Sequence, residues 1–309
     1  MTPEEYNARF NFSISPEALA NERVNTHILL SKSLRFSHTF QLYAEILASF
    51  QENAVFLPFE AQMNDEKRIS LLMEEFRQNP MLQTIMVSDP FKRTIRPHLN
   101  RFTERALIAR AVNLIMKTDS GIVGDNLDGL AFEHAITELD HVSLKSRSML
   151  FLGCGGVSSA VAVLVSPLLN RIGISDSKED EVDALRDLLL KLRLNIPIDV
   201  VRTDSPRDLT AYDVIYNGTG VGKGTAPDAH QQSPLSDDEV TYANLFIDAN
   251  YIPKLTKFLQ QGISRGAQVV NGLSHMLAST ALHCGIIVGQ RIPLSLVADK
   301  YKEIQGQQF

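Results

Sequence analysis

With 309 residues, 44% of them hydrophobic and 21% charged, the chain has room for one large domain or two smaller ones, and its composition argues against wholesale disorder. A net charge of −6, an isoelectric point near 5.8 and the lack of a long basic run leave no stripe for neutralising phosphates, so nucleic acid is not an expected partner. No apolar stretch approaches the roughly 20 residues of a membrane helix, the N-terminus is too polar for a signal peptide, and two distant cysteines with scattered histidines support neither disulfides nor a metal site; a cytoplasmic protein without membrane or metal is expected.

After a polar lead-in, short apolar runs alternate with amphipathic stretches, the pattern of layered α/β units. His27–Leu30, Ala54–Pro58 and Thr84–Ser88 read as strands. Between them Phe36–Phe50 and Glu66–Gln78 have helical apolar spacing, with Leu42, Ile46 and Leu47 on one face of the first. A second block opens with the apolar run from Ser148, then a glycine turn, then an apolar helix over Val161–Leu169. Strands at Arg171–Ser175, Ile198–Val201, Asp213–Tyr216 and Leu245–Asp248, with a helix from about Glu179 to Leu192, complete a pattern that points to a doubly wound parallel sheet. Ser274–Cys284 and Leu294–Glu303 read as helices. The expected fold class is therefore α/β: an N-terminal α/β substrate domain over 1–126, and a Rossmann-type dinucleotide-binding domain over 127–272. The C-terminal helices, about 273–309, are expected to pack back on the first domain.

The turn Gly153-Cys-Gly155-Gly156 stands between strand and helix, where bare backbone can approach a pyrophosphate at the helix N-terminus; the third fingerprint position is Ser158. About 20 residues on, Asp176 ends the next strand, where a carboxylate would accept from the ribose hydroxyls of NAD and repel a 2′-phosphate. Lys178 could partly offset that repulsion. NAD is the expected cofactor, with NADP admissible.

Several stretches, in order, resemble the shikimate/quinate dehydrogenase family. Ser31-Lys-Ser33-Leu-Arg-Phe-Ser-His38 is similar to S-x-S-P-x-x-H-N, and Ser88-Asp-Pro90-Phe-Lys92 to the end of N-V-T-x-P-x-K. Ala111-Val-Asn113 resembles part of G-A-V-N-T, and Gly124-Asp-Asn126-Leu-Asp128 resembles G-x-N-T-D. In the second half, Gly153-Cys-Gly-Gly is similar to G-A-G-G, and Asn217-Gly-Thr219-Gly220-Val221-Gly222 to N-x-T-x-x-G. Asp248 to Thr256 resembles D-x-x-Y-x-P-x-x-T, and Gly272-Leu-Ser-His-Met276-Leu277 resembles G-L-x-M-L with one extra residue.

The resemblance implies an NAD(P)-dependent oxidoreductase that interconverts a hydroxyl and a ketone on shikimate, quinate or a related cyclic hydroxy acid. It implies Lys92 as proton shuttle paired with Asp128, since a neighbouring carboxylate helps keep an ammonium protonated. Substrate contacts are implied for Ser31, Ser33, Ser88, Asn113, Tyr251 and Thr280, with the serines and Tyr251 on the carboxylate. Cofactor contacts are implied for Gly153, Gly155, Gly156, Val157, Asp176, Asn217, Thr219, Gly220 and Gly272. The partner is a small carboxylic acid, and the oligomeric state is left open, a homodimer included.

The chain departs from the pattern at Leu34 for proline, Ser37-His38 for His-Asn, Met86 for asparagine, Leu127 for threonine and Thr280 for glutamine. Lys92 and Asp128 are retained while the shell that would read substrate hydroxyls becomes more apolar. Two alternatives follow: a specialised reductase of another keto or imino acid, and a non-catalytic ligand-binding sensor on the same fold.

Overall fold

The computed structural model describes residues 25–32, 38–50, 54–203, 209–224, 228–239 and 244–306. The chain divides into two compact units, Met1–Leu127 with Ser279–Phe309, and Asp128–Ala278.

In the first unit β1 (Asn25–Ser31) lies between β2 (Ala54–Glu60) and β3 (Leu82–Val87), parallel to both. The helices α1 (His38–Ser49) and α2 (Glu66–Gln78) fill the crossovers. α2 buries Ile69, Leu72, Met73 and Phe76, an i, i+3, i+4, i+7 stripe, and begins where the Asp65 carboxylate accepts from the Arg68 amide at 3.2 Å. Leu42, Ile46 and Leu47 of α1 are buried as expected. The sheet is not wholly parallel. β4 (Leu114–Thr118) and β5 (Gly121–Asp125) form an antiparallel hairpin that extends it in the order β2-β1-β3-β4-β5. Gly121, with φ +111°, supplies the turn conformation that a side chain would resist. Two short helices, α3 (Phe91–Thr94) and α4 (Glu104–Ala109), connect β3 to β4.

The second unit starts with α5 (Asp128–His134), continued by a π-helical turn over Ala135–Leu139. Its parallel sheet contains β6 (Ser148–Leu152), β7 (Arg171–Ser175), β8 (Ile198–Val200), β9 (Val214–Asn217), β10 (Leu245–Asp248) and β11 (Gln268–Val270), in the order β11-β10-β9-β6-β7-β8. That order reverses direction between β6 and β9, the switch point of a Rossmann-type sheet. β6 is buried along its whole length, so its unbroken apolar run is that of a central strand covered on both faces. The helix after it, α6 (Gly156–Val165), starts earlier than the apolar spacing suggests and closes as a 3-10 turn at Ser166–Leu168, where Pro167 cannot continue the α-helical bonding. α7 (Glu179–Lys191) buries Val182, Leu185 and Leu189. α8 (Lys257–Ser264) precedes β11, and α9 (Leu273–Val288) and α10 (Leu294–Gly306) end the described chain, α10 packing on α1.

Candidate active site

The residues expected to act belong to both units, and several of them follow the C-terminal ends of parallel strands. In the first unit Ser31 ends β1, Ser88 follows β3 and Asn113 precedes β4. Main-chain bonds hold these ends in register: Ser88 N–H donates to Leu30 O at 2.9 Å and Val87 N–H to Asn113 O at 2.9 Å. Ser31 and Asn113 are buried. Lys92 is half-buried in α3, and its carbonyl accepts from the Val112 amide at 2.7 Å, which ties α3 to the segment that leads through Asn113 into β4. Ser33 lies outside the described residues.

Asn113 has a main-chain partner within its own unit. Its Oδ1 accepts from the Leu127 amide at 2.9 Å, so the oxygen fixes the chain one residue before Asp128. Met86 and Leu127, apolar where the family pattern is polar, are buried, and Thr280 is wholly buried in α9.

In the second unit Gly153 leaves β6 with φ +88°, and a Cβ there would stand 2.8 Å from the Thr219 amide nitrogen. Both backbone conformation and close approach therefore demand glycine. Gly155 caps α6, and the space a Cβ would fill is open. The first helical bond is Ser159 N–H to Gly155 O, so the amides of Gly156 and Val157 precede the intrahelical ladder and point along the positive end of the helix. A dinucleotide pyrophosphate fits this arrangement of open space and donors.

Ser158 at the third fingerprint position is wholly buried, and its Oγ lies 2.1 Å from where a Gly218 Cβ would be. The close packing that a third glycine usually permits is achieved here by removing the side chain from the facing loop. Gly272 has a packing role of the same kind: a Cβ would meet Ala249 O at 2.1 Å.

Asp176, half-buried just past β7, accepts from the Cys154 amide at 2.7 Å, so it braces the glycine turn itself. Burial and the neighbouring Asp176 and Glu181 push the Cys154 thiol up to about 12, which removes it as a nucleophile near neutral pH.

After β9, Asn217 Oδ1 accepts from the amide and hydroxyl of Thr219 at 3.1 and 2.7 Å, and Thr219 Oγ1 accepts from the Val221 amide at 3.0 Å. The Asn217 amide donates to buried Asp248 at 3.0 Å, which also accepts from the Asn250 amide at 2.9 Å and Thr256 Oγ1 at 2.6 Å. Burial raises the Asp248 carboxyl to about 6 despite these donors. This network gives a physical reason for the Asn217-x-Thr219 and Asp248…Thr256 spacings: together they build the loop Gly218–Val221, in which Gly220 has φ +78°. Tyr251 is half-buried just beyond it.

Asp128 is buried at the start of α5. Its carbonyl lies 2.9 Å from His275 Nε2, and because a carbonyl only accepts, that nitrogen carries the proton. His275 also meets Phe132 edge-on. Sequence reading missed His275; the extra residue in Gly272-Leu-Ser-His-Met is the one signal that marked it. Among the described residues no group of histidine, cysteine, aspartate and glutamate could hold a metal, and no helix is long and apolar enough to cross a membrane.

No family model matches the chain. It is 26% identical over 255 residues to a shikimate dehydrogenase (NADP(+)) of Lactococcus lactis subsp. cremoris, covering 80% of this chain and 85% of that one. A shikimate 5-dehydrogenase of Listeria monocytogenes, solved with shikimate and NAD, superposes with a TM-score of 0.76 at 21% identity, over 89% of this chain and 96% of that one. The 5-ketofructose reductase of a Gluconobacter strain has the same fold, with a TM-score of 0.75 at 18% identity over 91% and 99% of the two chains. Along most of its length the chain is therefore similar in sequence to curated shikimate dehydrogenases, and it shares the fold of their solved structures.

Proposed function

We propose that the chain is an NAD(P)-dependent oxidoreductase that interconverts a hydroxyl and a ketone on shikimate, quinate or a related cyclic hydroxy acid. The observation that carries this reading is the glycine turn at the β6/β9 switch point, with open space at Gly155 and the Asp248-anchored loop Gly218–Val221 beside it. When bound, the nicotinamide supplies the carbon that takes or gives the hydride.

Lys92 donates a proton to the carbonyl oxygen during reduction and recovers it during oxidation. Asp128 is the paired carboxylate, which favours the ammonium form and orients it. Ser31, Ser33 and Tyr251 hold the substrate carboxylate through neutral donors, Ser88 and Thr280 are further substrate contacts, and Asn113 directs its amide to a ring hydroxyl. Gly153, Gly155, Gly156 and Val157 cradle the pyrophosphate, Asp176 meets the adenosine ribose, and Asn217, Thr219 and Gly220 shape the loop beside the nicotinamide. The buried packing of Gly272 against Ala249 supports this frame.

The relatives' names specify NADP(+), whereas the Listeria structure contains NAD. In this chain the carboxylate of Asp176 favours NAD. A second reading, a reductase of a different keto acid, is favoured by the buried apolar side chains of Met86 and Leu127 and by the 5-ketofructose reductase that shares the fold. Mixing the purified protein with a panel of hydroxy acids and each cofactor, while following nicotinamide absorbance, tests both readings. Shikimate or quinate turnover supports the first, turnover of another acid alone supports the second, and no turnover with any acid removes both.

A further inference from the structure

The segment Phe91–Val112 carries six cationic side chains, Lys92, Arg93, Arg96, Arg101, Arg105 and Arg110, against one carboxylate, Glu104, in a chain whose net charge is −6. Arg105 is neutralised by buried Asp125 at 2.5 Å, and Arg101 donates to the Ser120 carbonyl. Arg96 and Arg110 have no carboxylate partner among the described residues. The Arg96 guanidinium lies 5.1 Å from the centre of the Phe102 ring, and its Nε is buried without a hydrogen-bond partner. A buried donor left unsatisfied is costly and needs an explanation.

Three of these cations, Arg93, Arg96 and Arg110, line a groove of about 430 Å³ together with Pro97, Leu99 and Phe102. We propose that this groove is an anion-binding site for a small phosphomonoester. Planar guanidinium forks match phosphate oxygens, and a dianion with three terminal oxygens can engage several of them at once. The volume exceeds what a bare phosphate needs, and the apolar wall of Pro97, Leu99 and Phe102 provides a surface for the organic part of an ester. Arg110 is held in the left-handed region, φ 51°, at the end of α4, which fixes where its side chain leaves the backbone. Arg93 adjoins Lys92, and Arg110 leads directly into Ala111–Asn113, so a bound dianion would clasp the two segments that Val112 N–H already ties to Lys92 O.

Isothermal titration calorimetry on the full chain at low salt, with phenyl phosphate, inorganic phosphate and phenol, tests the site. Phenyl phosphate should bind at least tenfold more tightly than inorganic phosphate, phenol should not bind, and benzoate should not displace the ester. Arg96→Gln and Arg110→Gln should each weaken phenyl phosphate at least tenfold, whereas Gly155→Ala, which alters the other phosphate-accepting turn, should leave its affinity unchanged. Arg110 is exposed, so Arg110→Gln decides the matter if Arg96→Gln fails to fold. No binding, equal affinity for inorganic phosphate, displacement by benzoate, or wild-type affinity in Arg110→Gln would overturn the proposal.

Discussion

Replacing Gly155 and Gly272 by alanine, one at a time, separates a glycine kept for a ligand from one kept for packing. A Cβ on Gly272 would stand 2.1 Å from Ala249 O and 2.6 Å from its carbonyl carbon, both main-chain atoms that cannot swing aside. Overpacking of this kind costs about 1–3 kcal/mol, and the reduced entropy of the unfolded chain returns only about 0.4–1 kcal/mol. Gly272→Ala should therefore lose about 1 kcal/mol or somewhat more in urea unfolding while the folded fraction still binds cofactor. At Gly155 a Cβ meets nothing within 4 Å, and φ is −69°. There the weaker capping by alanine and the entropy gain nearly cancel, to within about 0.5 kcal/mol. The methyl would occupy the space assigned to the pyrophosphate, and losing one charge-assisted hydrogen bond costs about 1.5–3 kcal/mol, or tenfold and more in Kd. Urea denaturation and a fluorescence titration with reduced nicotinamide measure both quantities on both variants. Wild-type stability in Gly272→Ala, or wild-type cofactor affinity in Gly155→Ala, would refute the reasoning.

Lys92→Ala should fold and bind cofactor but lose turnover by about 100-fold or more; near-normal kcat in steady-state assays would remove Lys92 from the reaction, and an unaltered Asp128→Asn would return Asp128 to a structural role. Ser31→Ala should raise KM for an acidic substrate more than it lowers kcat, because the contact exists equally in ground and transition states; a pure kcat effect contradicts the anchor. Asp176→Asn keeps an acceptor for the Cys154 amide and removes only the charge, so the kcat/KM ratio should move toward NADP by about tenfold, or about 1.4 kcal/mol; an unchanged ratio sinks the ribose assignment. Burial lowers His27 to about 4 from 6.5, so its neutral form stabilises the fold above pH 6.5 and that stability is lost as pH falls toward 4. Asp248, raised to about 6, has the opposite slope between 6 and 3.8, so the wild-type profile alone conceals both. Comparing His27→Gln with wild type by urea unfolding isolates the first: the variant should gain about 2–3 kcal/mol relative to wild type between pH 7 and 4.5, and a constant difference across that range contradicts it.

The strands β6 to β10 and the helices α6 and α7 were legible because each leaves a local mark: an unbroken apolar run for β6, a stripe of period near 3.6 for α7, and glycines between strand and helix, whereas α5, α8 and the three-residue β11 were not read. The position of Asp176 was legible for the same reason, just past a short strand at a fixed distance from the turn. The antiparallel pair β4 and β5 was not, since five-residue strands with one solvated end carry too little periodicity to distinguish pairing direction. The resemblance of the surrounding motifs to a known family named Lys92 and Asp128 as candidates, while Ser33 lies outside the described residues. What only the tertiary structure decided are contacts between residues far apart in sequence. Gly272 is required by Ala249, Gly218 by the buried hydroxyl of Ser158, and His275 meets the carbonyl of Asp128 across 147 positions. Arg96 and Arg110 become one groove only when α3 and α4 are folded together. A local pattern encodes the conformation of its own segment, whereas close approach, burial and the partners of a charge depend on which segments meet, and that is set by the packing of the whole chain.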